Sequence, residues 1–298
     1  MPLTARKNTD AKRSHAFAPN DEAILQSLLR YRYLSAQQIC RLLYSFPGSL
    51  TYAQTTLKRL TDSGYVQRLF VPRFGRYGSS PCAYRLARKG INHLRDQGLE
   101  TPVRYRPSDG RTLSYLFLSH SLDVASVLML GELLARQCPP LVLETLLHDE
   151  DFKRDPIRVK DPARGEQLTV VPDGYWDFRI NGSQQVCVAL ELDRGSEASQ
   201  AWRRKIRGWV AAAQGPYQER LQTSSLTVVV VATPGEKRVL ELKRWTEAEL
   251  DELGRGHADL FRFGRLLEDA LPAERFFFDS RFYRPFDDPL YPLLAVAS

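Results

Sequence analysis

Residues 170–209 read VVPDGYWDFRINGSQQVCVALELDRGSEASQAWRRKIRGW. Two apolar, strand-like runs flank Asn181-Gly182, the strongest short-range signal for a β-hairpin. The first run opens at Pro172-Asp173-Gly174 and the second closes at Glu191-Leu192-Asp193, so acidic side chains gather at one end of the hairpin. Register decides whether they share a face, because a slip of one residue turns every side chain to the other side. A two-residue turn pairs Ile180 with Ser183 and leaves Phe178 opposite Gln185, which spoils the apolar face. A three-residue loop, Asn181 to Ser183, sets Trp176 against Val188 and Phe178 against Val186, and places Asp173 opposite Glu191. Asn-Gly alone favours the shorter turn, whereas apolar matching favours the longer. Two carboxylates directly opposite repel each other. A divalent cation removes that cost, and Mg²⁺ is commonly held by one or two carboxylates plus substrate phosphates. The expected cofactor is Mg²⁺ or Mn²⁺, with Asp173, Glu191 and Asp193 as metal ligands.

The chain of 298 residues, 43% of them hydrophobic, is long enough for two domains with modest cores. Cys40, Cys82, Cys138 and Cys187 are far apart with no CxxC, which argues against both a zinc site and a disulfide framework. No apolar run reaches the ~18 residues of a membrane span, and the polar N-terminus lacks a secretory apolar segment. A cytoplasmic protein with no membrane partner is expected.

Charge is divided unevenly. Residues 1–111 hold 19 Lys/Arg and 7 Asp/Glu, leaving 23 and 28 for residues 112–298. A basic half of this kind suits a polyanion, and DNA, double-stranded on the motif pattern below, is the expected partner because cations gain by releasing counterions from phosphates. A merely solvated basic surface is the competing explanation.

Residues 1–18 are polar, basic and aperiodic, as in a flexible arm. Asn20 or Asp21 caps a helix with Ile24, Leu25, Leu28 and Leu29 at helical spacing, and Ser35 caps a second with Ile39, Leu42 and Leu43 inward. A third helix, about Thr51 to Ser63, follows the Pro47-Gly48 break and ends at Gly64. Two strand-like runs, Tyr65 to Pro72 and Cys82 to Leu86, are joined by the loop RFGRYGSS. This order predicts a winged helix-turn-helix over residues 19–100. The third helix would lie in the major groove, exposing Thr51, Tyr52, Gln54, Thr55, Lys58 and Arg59, while Arg73 and Arg76 in the wing reach phosphates or the minor groove. A solvated face of a small helical bundle, or a winged helix used for protein contacts, explains the same residues.

Residues 101–112 have linker composition and open a second domain, 113–298. Leu113 to Arg136 has the dense apolar spacing of a largely buried helix, in which His120 reads as a satisfied core histidine rather than a ligand. Then come a strand (Leu141 to Leu147), a charged loop, the hairpin, a helix (about Glu197 to Ala213) and the Val-rich strand Leu226 to Ala232. A helix from Thr246 to Leu253, a strand-like piece near Leu260 to Phe263 and an aromatic tail expected to pack across the core complete the chain.

The helix, strand, strand, strand, helix, strand order, with acids at one end of the hairpin, resembles the PD-(D/E)xK nuclease fold over residues 113–232. The resemblance implies a mixed α+β and α/β protein, a winged helix-turn-helix followed by a nuclease-like αβββαβ domain. In that superfamily two acids hold a divalent metal, and a lysine two residues after the second acid positions or activates water. Asp173 and Glu191 fit the acids, whereas Asp193 stands at the lysine position. Such a lysine can migrate to the following helix, which makes Lys205 the candidate, with Arg203 and Arg204 as alternatives. Asp173, Glu191, Asp193 and Lys205 are then the catalytic set.

The winged helix, the PDG and the ELDRG followed by a lysine-bearing helix together resemble the replication-relaxation family of plasmids and integrative elements, over about residues 20–280. That resemblance implies DNA binding linked to replication, relaxation or mobilisation of the element, with replication or mobilisation proteins and a homodimer as further partners. Three functions fit. They are a DNA-binding accessory protein with the nuclease fold but no turnover, an active metal-dependent endonuclease or nickase, and a winged-helix transcriptional regulator.

Overall fold

Local signals set the first elements. Helix α1 (Pro19–Tyr31) starts two residues before a helix capped by Asn20 would, with Ala18 at the cap position, and the Asp21 carboxylate folds back to accept the Ala18 N–H at 3.0 Å. Ser35 caps α2 (Ala36–Leu43) as expected, accepting from Gln38 N while the Gln38 side chain accepts from Ser35 N. Helix α3 is Ser49–Asp62, followed by Gly64 with φ +78°. The computed structural model describes residues 17–44, 46, 48–70, 82–101, 114–266 and 271–294. The expected arm over residues 1–16, the wing loop with Arg73 and Arg76, and residues 102–113 lie outside the described residues.

By internal packing the chain divides into two compact units, Met1–Thr112 and Leu113–Ser298. In the first, β1 (Leu34–Ser35), β2 (Val66–Phe70) and β3 (Cys82–Leu86) form an antiparallel sheet in the order β1-β3-β2, with α4 (Arg88–Asp96) after it. Ile24, Leu25, Leu28, Ile39, Leu57 and Leu60 fill its core.

The second unit is a mixed α/β layer structure. Helix α5 (Tyr115–Gln137) and β4 (Leu141–His148) are followed by α6 (Asp149–Arg154) and a small hairpin, β5 (Ile157–Lys160) with β6 (Gln167–Val170). This helix and hairpin replace the expected charged loop. Their strands are only four residues each and alternate apolar with polar or charged residues inside a charge-rich segment, too short a run to stand out in sequence. Then come β7 (Gly174–Ile180), β8 (Gln184–Asp193), α7 (Ser199–Ala213), α8 (Pro216–Leu221), β9 (Thr227–Ala232), α9 (Glu236–Leu253), β10 (Phe261–Arg265) and α10 (Ala273–Phe278). The five-stranded sheet has the order β10-β9-β8-β7-β4, with β8, β9 and β10 parallel and β7 and β4 antiparallel to their neighbours. Helix α9 begins ten residues before the expected Thr246, because the charged stretch before it still carries buried Val239 and Leu242 at helical spacing.

The hairpin register is Trp176 opposite Val188 and Phe178 opposite Val186. Both turn signals contribute. Asn181 and Gly182 take left-handed φ values of +50° and +71°, and Ser183 N donates to Ile180 O at 3.2 Å. Ser183 is the extra residue that moves Ile180 from itself to Gln184. The period of two then divides the sheet. Tyr175, Cys187 and Ala189 join Trp202, Ile206 and Trp209 of α7 and Val239 and Leu242 of α9 in one core. On the other face, Trp176 and Phe178 pack edge-on to Phe277 of α10, so the aromatic tail does cross the core.

Helix α5 lies on that second face. Among the described residues it is the one helix long and apolar enough, by length and composition, to cross a membrane, and 56% of its most apolar window is buried here. The Trp176 indole N–H donates to Leu128 O at 3.0 Å, and Gly131 leaves the space the indole fills. A Cβ at Gly131 would overlap the indole nitrogen. Gly131→Ala, which in an open helix stabilises by about 1 kcal/mol, is therefore expected to destabilise this unit by about 1–3 kcal/mol. Urea unfolding of the two proteins checks the sign.

Candidate functional site

The site is built where β7 begins and β8 ends. Asp173 extends the ladder by one residue, its N–H donating to Leu190 O at 2.9 Å. Its Oδ2 accepts from Leu192 N at 2.7 Å and its Oδ1 lies 3.0 Å from His120 Nε2 of α5. Glu191, 2% exposed, faces α7. Its Oε1 accepts from the Trp209 indole N–H at 2.9 Å, and its Oε2 is 2.9 Å from Lys205 Nζ. Lys205 also reaches Glu197 Oε2 at 3.1 Å. Trp202, Ile206 and Trp209 are buried at a 4-3 spacing that defines the inner stripe of α7, and Lys205 flanks it. A cavity of about 300 Å³ opens beside the pair, lined by Leu168, Val170, Glu191, Glu197, Arg204 and Lys205.

Asp193 is not part of this group. Its carboxylate accepts two bonds from the Arg238 guanidinium, at 2.7 and 3.1 Å, and one from Gly195 N at 2.7 Å. Arg238 also donates to Glu197 O and Glu241 at 2.7 Å. Both carboxylate oxygens of Asp193, expected to be a third metal ligand, are thus engaged by Arg238. Asp193 is a buried structural ion pair that fastens the turn after β8 to α9. Arg194 pairs elsewhere, with Asp123 at 3.1 Å. Arg203 lies 3.7 Å from Glu249, and Arg204 is exposed on the cavity rim. A second buried network joins Arg207 of α7 to Asp161 at 2.9 Å and Glu249 at 2.7 Å.

All four carboxylate oxygens of Asp173 and Glu191 thus face protein donors at 2.7–3.0 Å. Among the described residues no three of His, Cys, Asp and Glu converge to hold a metal ion. Each of these oxygens has one protein donor, so a divalent cation bound here would share the carboxylates with an ammonium, an imidazole and two N–H groups. Of the residues expected to ligate Mg²⁺ or Mn²⁺, Asp173 and Glu191 lie together here, while Asp193 is held apart by Arg238.

In the N-terminal unit, Thr51, Tyr52, Gln54, Thr55, Lys58 and Arg59 all lie on the exposed side of α3, with Ala53, Thr56, Leu57 and Leu60 buried behind them. Thr55 Oγ1 donates to Thr51 O, and Lys58 pairs with Asp62 at 3.0 Å between two exposed side chains. Arg59 differs from the rest. Its guanidinium is bonded to the fully buried Asp21 carboxylate, so it ties α3 to the start of α1.

A family model described as replication-relaxation matches residues 25–229, more than half of the chain. The chain belongs to the replication-relaxation family. Membership suggests a role in replication or relaxation of a plasmid or mobile element. No curated protein and no solved structure matches it. The family match covers α3, the hairpin and Lys205 of this replication-relaxation protein alike.

Three residues of the site went unread in the sequence of this family member. The apolar helical spacing around His120 reads as core, and its partner lies 53 positions away. Arg238 sits 45 positions from Asp193 and nothing linear connects them. Trp209 was accessible, since it stands four residues after Lys205 on the same side of the helix.

Burial pushes the Glu191 carboxyl up to about 7, with Asp173 adding to the rise and Lys205 and Trp209 opposing it. Burial pulls the Lys205 ammonium down, but Glu191, Glu197 and Asp173 together hold it above its ordinary value. Burial likewise opposes the charged form of His120, and Asp173 more than offsets it, so its pKa is raised. A carboxyl raised from 4.5 to about 7 binds more protons folded than unfolded between those values, so its contribution to stability falls as pH rises through that window. Glu191→Gln removes the titration. The stability of wild type relative to Glu191→Gln is expected to fall by about 1–3 kcal/mol across the window, read by urea unfolding at each pH. A difference that stays flat or rises with pH contradicts this assignment.

Proposed function

We propose that the protein is a cytoplasmic DNA-binding accessory protein of a plasmid or mobile element, acting in replication, relaxation or mobilisation without cutting DNA itself. The N-terminal unit serves as a winged helix-turn-helix on duplex DNA, and the C-terminal unit is a PD-(D/E)xK-like domain whose acids are neutralised from within. The observation that carries the DNA reading is the exposed row Thr51, Gln54, Thr55 and Lys58 on one side of α3, within a segment of 19 Lys/Arg against 7 Asp/Glu. Gln54 and Thr55 suit base edges, while Lys58 suits a phosphate once it leaves Asp62, an exchange that costs little between exposed side chains. Arg59, on the same exposed side, is engaged by the buried Asp21 and ties α3 to α1. Binding is expected to weaken linearly on a log–log plot against salt, and Lys58→Ala to lower the slope by about one. A salt-independent response overturns the DNA reading.

One observation favours a second reading, an endonuclease. Lys205 stands 2.9 Å from Glu191, where the resemblance places a migrated lysine. Supercoiled plasmid incubated with the protein and Mg²⁺ or Mn²⁺ is expected to remain uncut. Nicking by wild type that disappears in both Asp173→Ala and Glu191→Ala would replace the accessory reading with the enzymatic one.

A further inference from the structure

Three aromatic residues gather at the turn between α2 and α3. Gly48, at φ +78°, reverses the chain there, with Ser49 N donating to Phe46 O and Tyr52 N to Gly48 O, each at 3.2 Å. The turn brings Phe46 within 5.9 Å of Tyr44 and 5.9 Å of Tyr52, centroid to centroid, while Tyr44 and Tyr52 are 5.3 Å apart. All three pairs meet at 66–88°. Asn20 Nδ2 donates to the Tyr52 hydroxyl at 3.2 Å, fixing that ring from α1. Despite this packing, Phe46 is 48% exposed and Tyr52 40% exposed, just ahead of and within the first turns of α3.

An exposed Phe in a cationic segment has no use for phosphate, because it offers no donor. Its options on DNA are the face of an unpaired base or an apolar group at a base edge. The ring angles decide between them. No two of the three rings are parallel, so they do not combine into one flat platform for stacking. In the major groove the apolar group at a base edge is the C5-methyl of thymine. The residues that open a recognition helix are the ones that meet base edges.

We infer that Phe46, backed by Tyr52, is a thymine-reading contact, packing on the C5-methyl group in the major groove beside Gln54 and Thr55. This rests on the DNA-binding reading of the N-terminal unit and adds the base class it distinguishes.

The test starts from duplexes selected by the full chain out of a randomised library, followed by replacement of each thymine with deoxyuridine, which removes the methyl and keeps the pairing. One thymine is expected to show a loss of roughly fourfold to tenfold on replacement. Phe46→Ala should bind the thymine and uracil duplexes equally, while Phe46→Leu, still apolar, should keep part of the difference. Salt-dependent binding with no methyl effect at any thymine, or with the same effect in Phe46→Ala, overturns the thymine contact and leaves DNA binding intact. Tighter binding to a mismatched or unpaired site that Phe46→Ala abolishes overturns it in favour of base stacking. Absence of salt-dependent binding to any duplex overturns both.

Discussion

Trp176 lies across from Val188 and Phe178 across from Val186, and this apolar pairing determines which way every other side chain of the hairpin points. One set, Trp176, Phe178 and their partners, turns to α5 and α10. The alternate set, Tyr175, Cys187 and Ala189, turns to α7 and α9 and carries Glu191 and Asp193 with it. A slip of one residue would set Glu191 and Asp193 against the aromatic layer, away from Lys205 and Arg238, and an unpaired buried charge is among the most costly features a core can contain. The candidate site exists because hydrophobic matching on one face fixes electrostatics on the other.

Repulsion between Asp173 and Glu191 is a real constraint, and the fold resolves it with its own side chains. Lys205 and Trp209 arrive from α7, His120 from α5 and a backbone N–H from Leu192. The result is a pair of acids each of whose oxygens already meets a protein donor. Asp193, the residue that departs from the nuclease pattern, is likewise matched by Arg238. The two acidic centres stand two positions apart on one strand yet serve different helices. Lys205 of α7 meets Glu191, and Arg238 of α9 meets Asp193.

Periodic features were readable in the linear order, and long-range pairings were not. The hairpin register followed from counting Trp176 and Phe178 against Val188 and Val186, since apolar alternation is a local property. The face of α3 followed from Leu57 and Leu60 in the same way. The short hairpin β5–β6 was hidden because four-residue strands inside a charged stretch imitate a loop. Arg59 looked like one more exposed cation, and only the buried Asp21, 38 positions earlier, gives it a structural task. His120 was assigned by its apolar helical neighbours, a pattern that describes where a helix sits but not what its one imidazole touches.

Arg207 holds Asp161 on one side and Glu249 on the other, and all three are buried. Asp161 follows β5 and Glu249 belongs to α9, so the guanidinium is a rivet through the middle of the helix that carries Lys205. Sliding α7 by one turn would strand these charges in the interior, at a cost of about 3–5 kcal/mol. Lys205 is therefore presented from an immovable shaft. Any adjustment at Glu191 has to come from rotation about side-chain bonds, which makes the acid pair a fixed fitting rather than a gate.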